Sequence, residues 1–126
     1  MEQINISHIE NLNNDYLRGI EFYKQELNIL QKRLEEIAAD NTGKEVAQQI
    51  EHFQNQFIIQ QKNISDLRHA VKNYVTGLSN DAKDHGGHVD AIFITQGESL
   101  KERYEQLEQI MNSLRHEFND YLSKWM

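Results

Sequence analysis

The chain has 126 residues, no cysteine, no proline and a formal net charge of -7. The lack of cysteine excludes disulfides, thiolate metal sites and thiol nucleophiles, and an acidic chain without a basic stripe argues against nucleic acid and membrane surfaces as partners. No apolar run reaches the roughly 18 residues of a membrane span, so we expect a cytoplasmic protein.

Three segments carry apolar residues at alternating steps of three and four, which predicts helices over about residues 4–39, 43–79 and 88–125. The core positions of the first helix are Ile9, Asn13, Tyr16, Ile20, Tyr23, Leu27, Leu30, Leu34 and Ile37. Those of the second are Val46, Ile50, Phe53, Phe57, Gln60, Ile64, Leu67, Val71, Tyr74 and Leu78. Those of the third are Leu100, Tyr104, Leu107, Met111, Leu114, Phe118, Tyr121 and Trp125.

Two turns separate the helices. Thr42 to Glu45 form a capping box at the start of the second helix, and the Gly86-Gly87 pair marks a second turn over about residues 80–87. Further capping boxes near Gly97 leave open a loop that extends to residue 97. Because short connections make neighbouring helices antiparallel, we predict an all-α fold: one elongated, coiled-coil-like three-helix bundle running up, down and up as a single domain.

A polar layer interrupts the predicted core. Gln60 is the clearly polar member of the second helix's seam, and the antiparallel register predicted from the short turn places it level with Tyr23 and near Tyr104. A buried amide without a partner costs roughly 1–3 kcal/mol. We therefore expect Gln60 to hydrogen-bond a tyrosine hydroxyl and to set the register of the bundle.

Histidines supply the candidate metal ligands. The end of the second helix meets the start of the first, so His8 is expected near Asp84, His85 and His88, and imidazole with carboxylate suits zinc, nickel or iron. The alternative is a hydrophilic turn in which Asp84 caps a helix. A second pair, His52 and His116, should lie level on outer positions, where two solvated histidines are the simpler interpretation.

The segment Arg68 to Tyr74, "RHAVKNY", carries a histidine three residues before a lysine on a helix. It resembles the phospho-accepting segment of histidine phosphotransfer domains, and the resemblance implies His69 as the phospho-acceptor. The chain departs from that pattern at Asn73, where the family usually has glycine beside the histidine.

Exposed apolar residues provide the remaining functional clue. Phe22, Ile29 and Ile59 occupy outer heptad positions and are expected to form one apolar flank, which suits association with a second copy or with a helix of another protein. The alternative is a wider core stripe. Because catalytic motifs are lacking and a narrow bundle leaves little room for a substrate, we predict no enzyme and no cofactor, but a self-associating interaction module similar in general character to secretion chaperones and adaptors. A histidine-based metal-binding or phosphotransfer domain is the alternative.

Overall fold

A computed structural model describes residues 6–40, 43–84 and 91–125 of the chain. These residues form helix α1 (Ile6–Asp40), helix α2 (Lys44–Asp84) and helix α3 (Ala91–Trp125), which contain 35, 41 and 35 residues. At 1.5 Å per residue, each helix is about 50–60 Å long. Within the described residues there is no strand, so the predicted all-α fold is confirmed.

Contacts between the helices fix their directions. Ser79 near the end of α2 donates a hydrogen bond to Glu10 near the start of α1, with 3.2 Å between Oγ and Oε1. His52 near the start of α2 likewise meets Glu117 near the end of α3. α2 is therefore antiparallel to both neighbours, and the bundle runs up, down and up as predicted.

The core follows the heptad pattern. All the predicted core positions of α2, from Val46 to Leu78, are buried, and those of α1 and α3 are buried or half-buried wherever their side chains are described. An aromatic cluster fills the end of the bundle where α2 begins and α3 finishes. It consists of Phe53, Phe57, Phe118 and Tyr121. This cluster joins α2 to α3 through tightly packed rings.

α2 extends past its predicted end at residue 79, and α3 begins before residue 97. α2 continues to Asp84, so residues 80–84 are helix and not turn, because the chain has no proline or glycine there to end it. α3 begins by Ala91, so the alternative of a loop reaching residue 97 is wrong. Its first turns are held by Tyr74, whose hydroxyl donates to the Phe93 carbonyl at 2.7 Å and lies over Gly97.

The three helices do not pack on one another equally. The backbones of α1 and α2 run closest together, those of α2 and α3 are next, and those of α1 and α3 approach least. α1 and α3 are joined mainly by long side chains that reach across the space between them. α2 is therefore the central helix of the bundle.

Candidate functional site

The junction of α1 and α3, the α1–α3 seam, depends on one glycine. Tyr104 of α3 lies directly against Gly19 of α1, where a methyl group would overlap its hydroxyl. The ring of Tyr104 also packs on Tyr16, with 4.8 Å between the ring centroids. The missing side chain at position 19 therefore lets an aromatic residue bridge two helices whose backbones stay apart.

An ion pair between Arg115 of α3 and Glu26 of α1 is the second contact across the seam. The Arg115 guanidinium donates from Nη2 to Glu26 Oε1 at 2.7 Å and from Nε to Oε2 at 3.0 Å, which is a bidentate arrangement. The two side chains are only 31% and 15% exposed. The hydrogen bond to Glu26 raises the pKa of Arg115 further. Arg115 is therefore a permanent cation held in one orientation.

Burial raises the pKa values of the tyrosines, both in the seam and outside it. Burial, followed by the charge of Glu108, raises the pKa of Tyr104 to about 12. The same two causes, in the same order of size, raise the pKa of Tyr23. Burial is the largest cause of a raised pKa at Tyr16, Tyr74 and Tyr121 as well. The fold thus favours the neutral phenol at every tyrosine of the chain.

The three residues of the predicted apolar flank lie at two different junctions. Phe22 and Ile29 are at the edge of α1 beside α3, and Ile59 is at the edge of α2 beside α3. Phe22 and Ile29 are 59% and 55% exposed, and they lie one turn before and one turn after Glu26, on the edge of α1 that faces α3. Ile59 is also exposed, but it lies two turns before Asp66, which lines a cleft between α2 and α3. Phe22 and Ile29, the Phe22–Ile29 strip, are therefore neighbours, and Ile59 is separate from them.

The predicted polar layer forms only in part. Tyr23 lies close enough to Tyr104 to contribute to the raised pKa of Tyr104. Gln60 is buried as expected, but its Oε1 accepts a hydrogen bond from Asn63 at 3.2 Å, so the predicted tyrosine partner is wrong. The reason is the register of α1 and α2.

Leu27 and Ile64 line the same groove, and they set that register. Gln60, one turn before Ile64, therefore faces the turn after Leu27, because the two helices are antiparallel. This places Gln60 about 12 Å along the bundle from Tyr23.

Replacing Gln60 with leucine tests whether this amide contributes to stability. Its one hydrogen bond among the described residues is to its own helix, and leucine has a similar volume. We expect the free energy of unfolding of Gln60→Leu to be unchanged or to rise by up to about 1 kcal/mol. Urea denaturation followed by circular dichroism measures this, with the exposed neighbour Gln61→Leu as the control. A loss above about 2 kcal/mol would show that the amide is a structural requirement.

A groove between α1 and α2 was not anticipated from the sequence. It has a volume of about 220 Å³ and is lined by Lys24, Leu27, Asn28, Gln61, Ile64, Ser65 and Arg68. Lys24 and Arg68 occupy equivalent flanking positions of their heptads, each three residues before a buried leucine or valine. The sequence shows the heptad positions of Lys24 and Arg68. Which residue of α2 lies opposite Lys24 depends on the axial register of the two helices, and the sequence alone does not determine that register.

His52 and His116 are both exposed, as the simpler interpretation of this pair predicts, and His52 lies against Glu117. The Nε2 of His52 lies 2.7 Å from Glu117 Oε1, and the two side chains are 43% and 53% exposed. His116, the residue predicted to lie level with His52, is exposed one position away. The α2–α3 register was therefore predicted to within about one residue, and the contact joins a histidine to a carboxylate.

The other histidine hypotheses remain predictions. His8 is exposed, whereas His85 and His88 lie outside the described residues and Asp84 is described only as the last residue of α2. His69 is exposed on α2, as a phospho-acceptor requires. The structure therefore does not test a metal site at the second turn.

The described helices carry neither a clustered ligand set nor a membrane span. Residues 6–40, 43–84 and 91–125 contain no group of three histidine, aspartate or glutamate side chains placed to hold a metal ion. None of the helices described is both long enough and apolar enough to cross a bilayer. Comparison with protein-family models, with curated proteins and with solved structures finds no match to this chain.

Proposed function

We propose that the chain is a non-enzymatic protein–protein interaction module that pairs with a second copy of itself or with a helix of another protein. The observation that carries this proposal is the Phe22–Ile29 strip, two large apolar side chains that remain exposed two turns apart on one edge of α1. Exposed apolar patches that are rimmed by polar residues mark sites of association with proteins, membranes or ligands. The acidic charge, which disfavours nucleic acid and anionic membranes, leaves proteins as the partner class.

The position of the strip favours a helix as the partner. Phe22 and Ile29 lie on either side of the Glu26–Arg115 pair, where α1 and α3 are joined by side chains and their backbones stay apart. A helix laid along α1 at this edge would bury both side chains, which contributes roughly 1.5–3 kcal/mol for each. Because association costs at least about 4 kcal/mol, one copy of the strip alone gives almost no net affinity. In a two-fold dimer both copies contribute, and the net gain is then at most about 8 kcal/mol, which corresponds to a dissociation constant in the micromolar range or weaker. We expect a weak dimer.

Substituting serine for both Phe22 and Ile29 tests the proposal. We expect the double variant to be monomeric over a concentration series, from micromolar to about 1 mM, in which the wild type forms a dimer, because the apolar contact is lost without disturbing the core. Sedimentation velocity measures the distribution, and circular dichroism checks the helix content. Ile59→Ser is the matched control, since it removes an exposed isoleucine on the far side of α3. A wild type that stays monomeric throughout, or a double variant that still dimerises, would contradict self-association through this strip.

A further inference from the structure

We propose that the groove between α1 and α2 binds an acidic, amphipathic helix of a partner protein, with its carboxylates held by Lys24 and Arg68. The proposal rests on the proposed function in taking the chain to be an interaction module, but it concerns a different face from the Phe22–Ile29 strip. It assigns the chemistry of the partner, which the strip alone does not.

Two cationic side chains line this groove, one from each helix. Lys24 of α1 and Arg68 of α2 line the same cleft, and within the described part of the chain neither forms an ion pair or a hydrogen bond. Like charges at facing positions of two packed helices repel each other. An anionic group between them would convert this repulsion into two attractive contacts.

Within the described helices, no acidic side chain lines the groove. The other lining residues are Leu27, Asn28, Gln61, Ile64 and Ser65, none of which carries a charge. Glu21, one turn before Lys24, accepts a hydrogen bond from Gln25 at 3.1 Å, and it does not line the cleft. In a chain of net charge -7, this groove is a local site of positive charge.

The remaining chemistry of the groove suits an amphipathic helix. Leu27 and Ile64 lie at the base of the groove and are almost fully buried, and Asn28, Gln61 and Ser65 offer hydrogen-bonding groups along its sides. The exposed apolar contact on this edge of α2 is Ile58, which is 62% exposed and lies two turns before Ser65. Arg68 and Ile58 are about 15 Å apart along the helix axis. A partner helix of about three turns spans that distance with an acidic residue at one end and an apolar residue at the other.

Two synthetic peptides of about three heptads test the charge preference. Both have leucine at the a and d positions, and the flanking e and g positions are all glutamate in one peptide and all lysine in the other, so that neither peptide pairs with itself. We expect the wild type to bind the glutamate peptide more tightly in fluorescence anisotropy at physiological salt. Non-specific attraction to an acidic protein would favour the lysine peptide. A preference for the glutamate peptide therefore indicates binding at the positively charged groove.

Charge reversal locates the binding. In Lys24→Glu/Arg68→Glu we expect the affinity for the glutamate peptide to fall about tenfold or more, and the preference to change to the lysine peptide. Lys32→Glu/Lys62→Glu makes the same change in net charge on the same two helices, at exposed positions outside the groove, and should keep the wild-type preference. The single variant Lys24→Glu changes only an exposed position, and we expect it to lower the affinity for the glutamate peptide by a smaller factor. It keeps the test decisive if the double variant does not fold.

Three results would overturn the proposal: no binding of the glutamate peptide, a wild-type preference for the lysine peptide, or equal losses in the groove variant and the control variant. Self-association is measured separately, because Phe22→Ser/Ile29→Ser leaves Lys24 and Arg68 unchanged. If the wild type is monomeric but still binds the glutamate peptide through Lys24, the self-association proposal fails and the groove proposal stands. If the wild type is a dimer that does not discriminate between the peptides, the groove proposal fails and the self-association proposal stands.

Discussion

Replacing Phe118 with alanine is expected to lower the free energy of unfolding by about 3–5 kcal/mol. Phe118 is fully buried, and its ring packs edge-on against Phe53 and Phe57, with centroid distances of 5.1 and 5.5 Å. Its removal leaves a cavity between α2 and α3, where the backbones are too regular to collapse around the gap. Because a domain of this size has a total stability of about 5–15 kcal/mol, the substitution should remove a large fraction of it.

Urea denaturation of the monomer at low concentration measures this loss. The matched control is Phe22→Ala, which removes the same side chain from a position that is 59% exposed and should change the stability of the monomer by less than about 0.5 kcal/mol. If Phe118→Ala cost less than about 1 kcal/mol, the aromatic cluster would not be packed as described.

Raising the pH from 10 to 12 is expected to unfold the protein in step with ionisation of its tyrosines. All five tyrosine pKa values are raised above the ordinary value of 10.0, with burial as the largest cause. A group whose folded pKa is raised contributes stability that is complete below the unfolded pKa and is lost as the pH rises through the folded pKa. For Tyr104 that window is from 10.0 to about 12, and we expect it alone to contribute about 1–2 kcal/mol after allowance for solvent screening.

Ultraviolet absorbance of phenolate and circular dichroism, recorded on the same samples, measure the two processes together. We expect the phenolate signal and the loss of helix to coincide. Tyr104→Phe, which keeps the ring on Tyr16 and removes the titrating hydroxyl, should lose less stability than the wild type over this range. Phenolate that forms with an ordinary pKa while the helices remain intact would contradict the burial of the tyrosines.

The sequence predicted the helices well because their information is local. The core positions of α2 recur at steps of three and four without a break, and each of them is buried. The same pattern correctly predicts that Asn13 and Gln60, two polar residues at core positions, are buried. Heptad spacing determines which side of a helix faces inward, and the neighbouring helices do not have to be known for that inference.

The contacts between helices were harder to predict. A short turn fixes the direction of the next helix but leaves its axial position free by several residues, and Gln60 was consequently assigned to the level of Tyr23. The Glu26–Arg115 pair and the groove of Lys24 and Arg68 both depend on that axial position. The arrangement of Phe22, Ile29 and Ile59, all of them exposed as expected, depends in addition on the handedness of the bundle, because the handedness decides which edge of α1 faces α3.

The central position of α2 bears on how the chain assembles during synthesis. α1 and α2 have the most extensive backbone packing and are adjacent in sequence, and both leave the ribosome before α3. Because local contacts form fast, we expect α1 and α2 to pack on each other before α3 joins them. Such an α1–α2 hairpin would expose the face that α3 covers in the bundle, including Phe53 and Phe57. We therefore expect this aromatic surface to be the most aggregation-prone part of the chain until α3 packs on it.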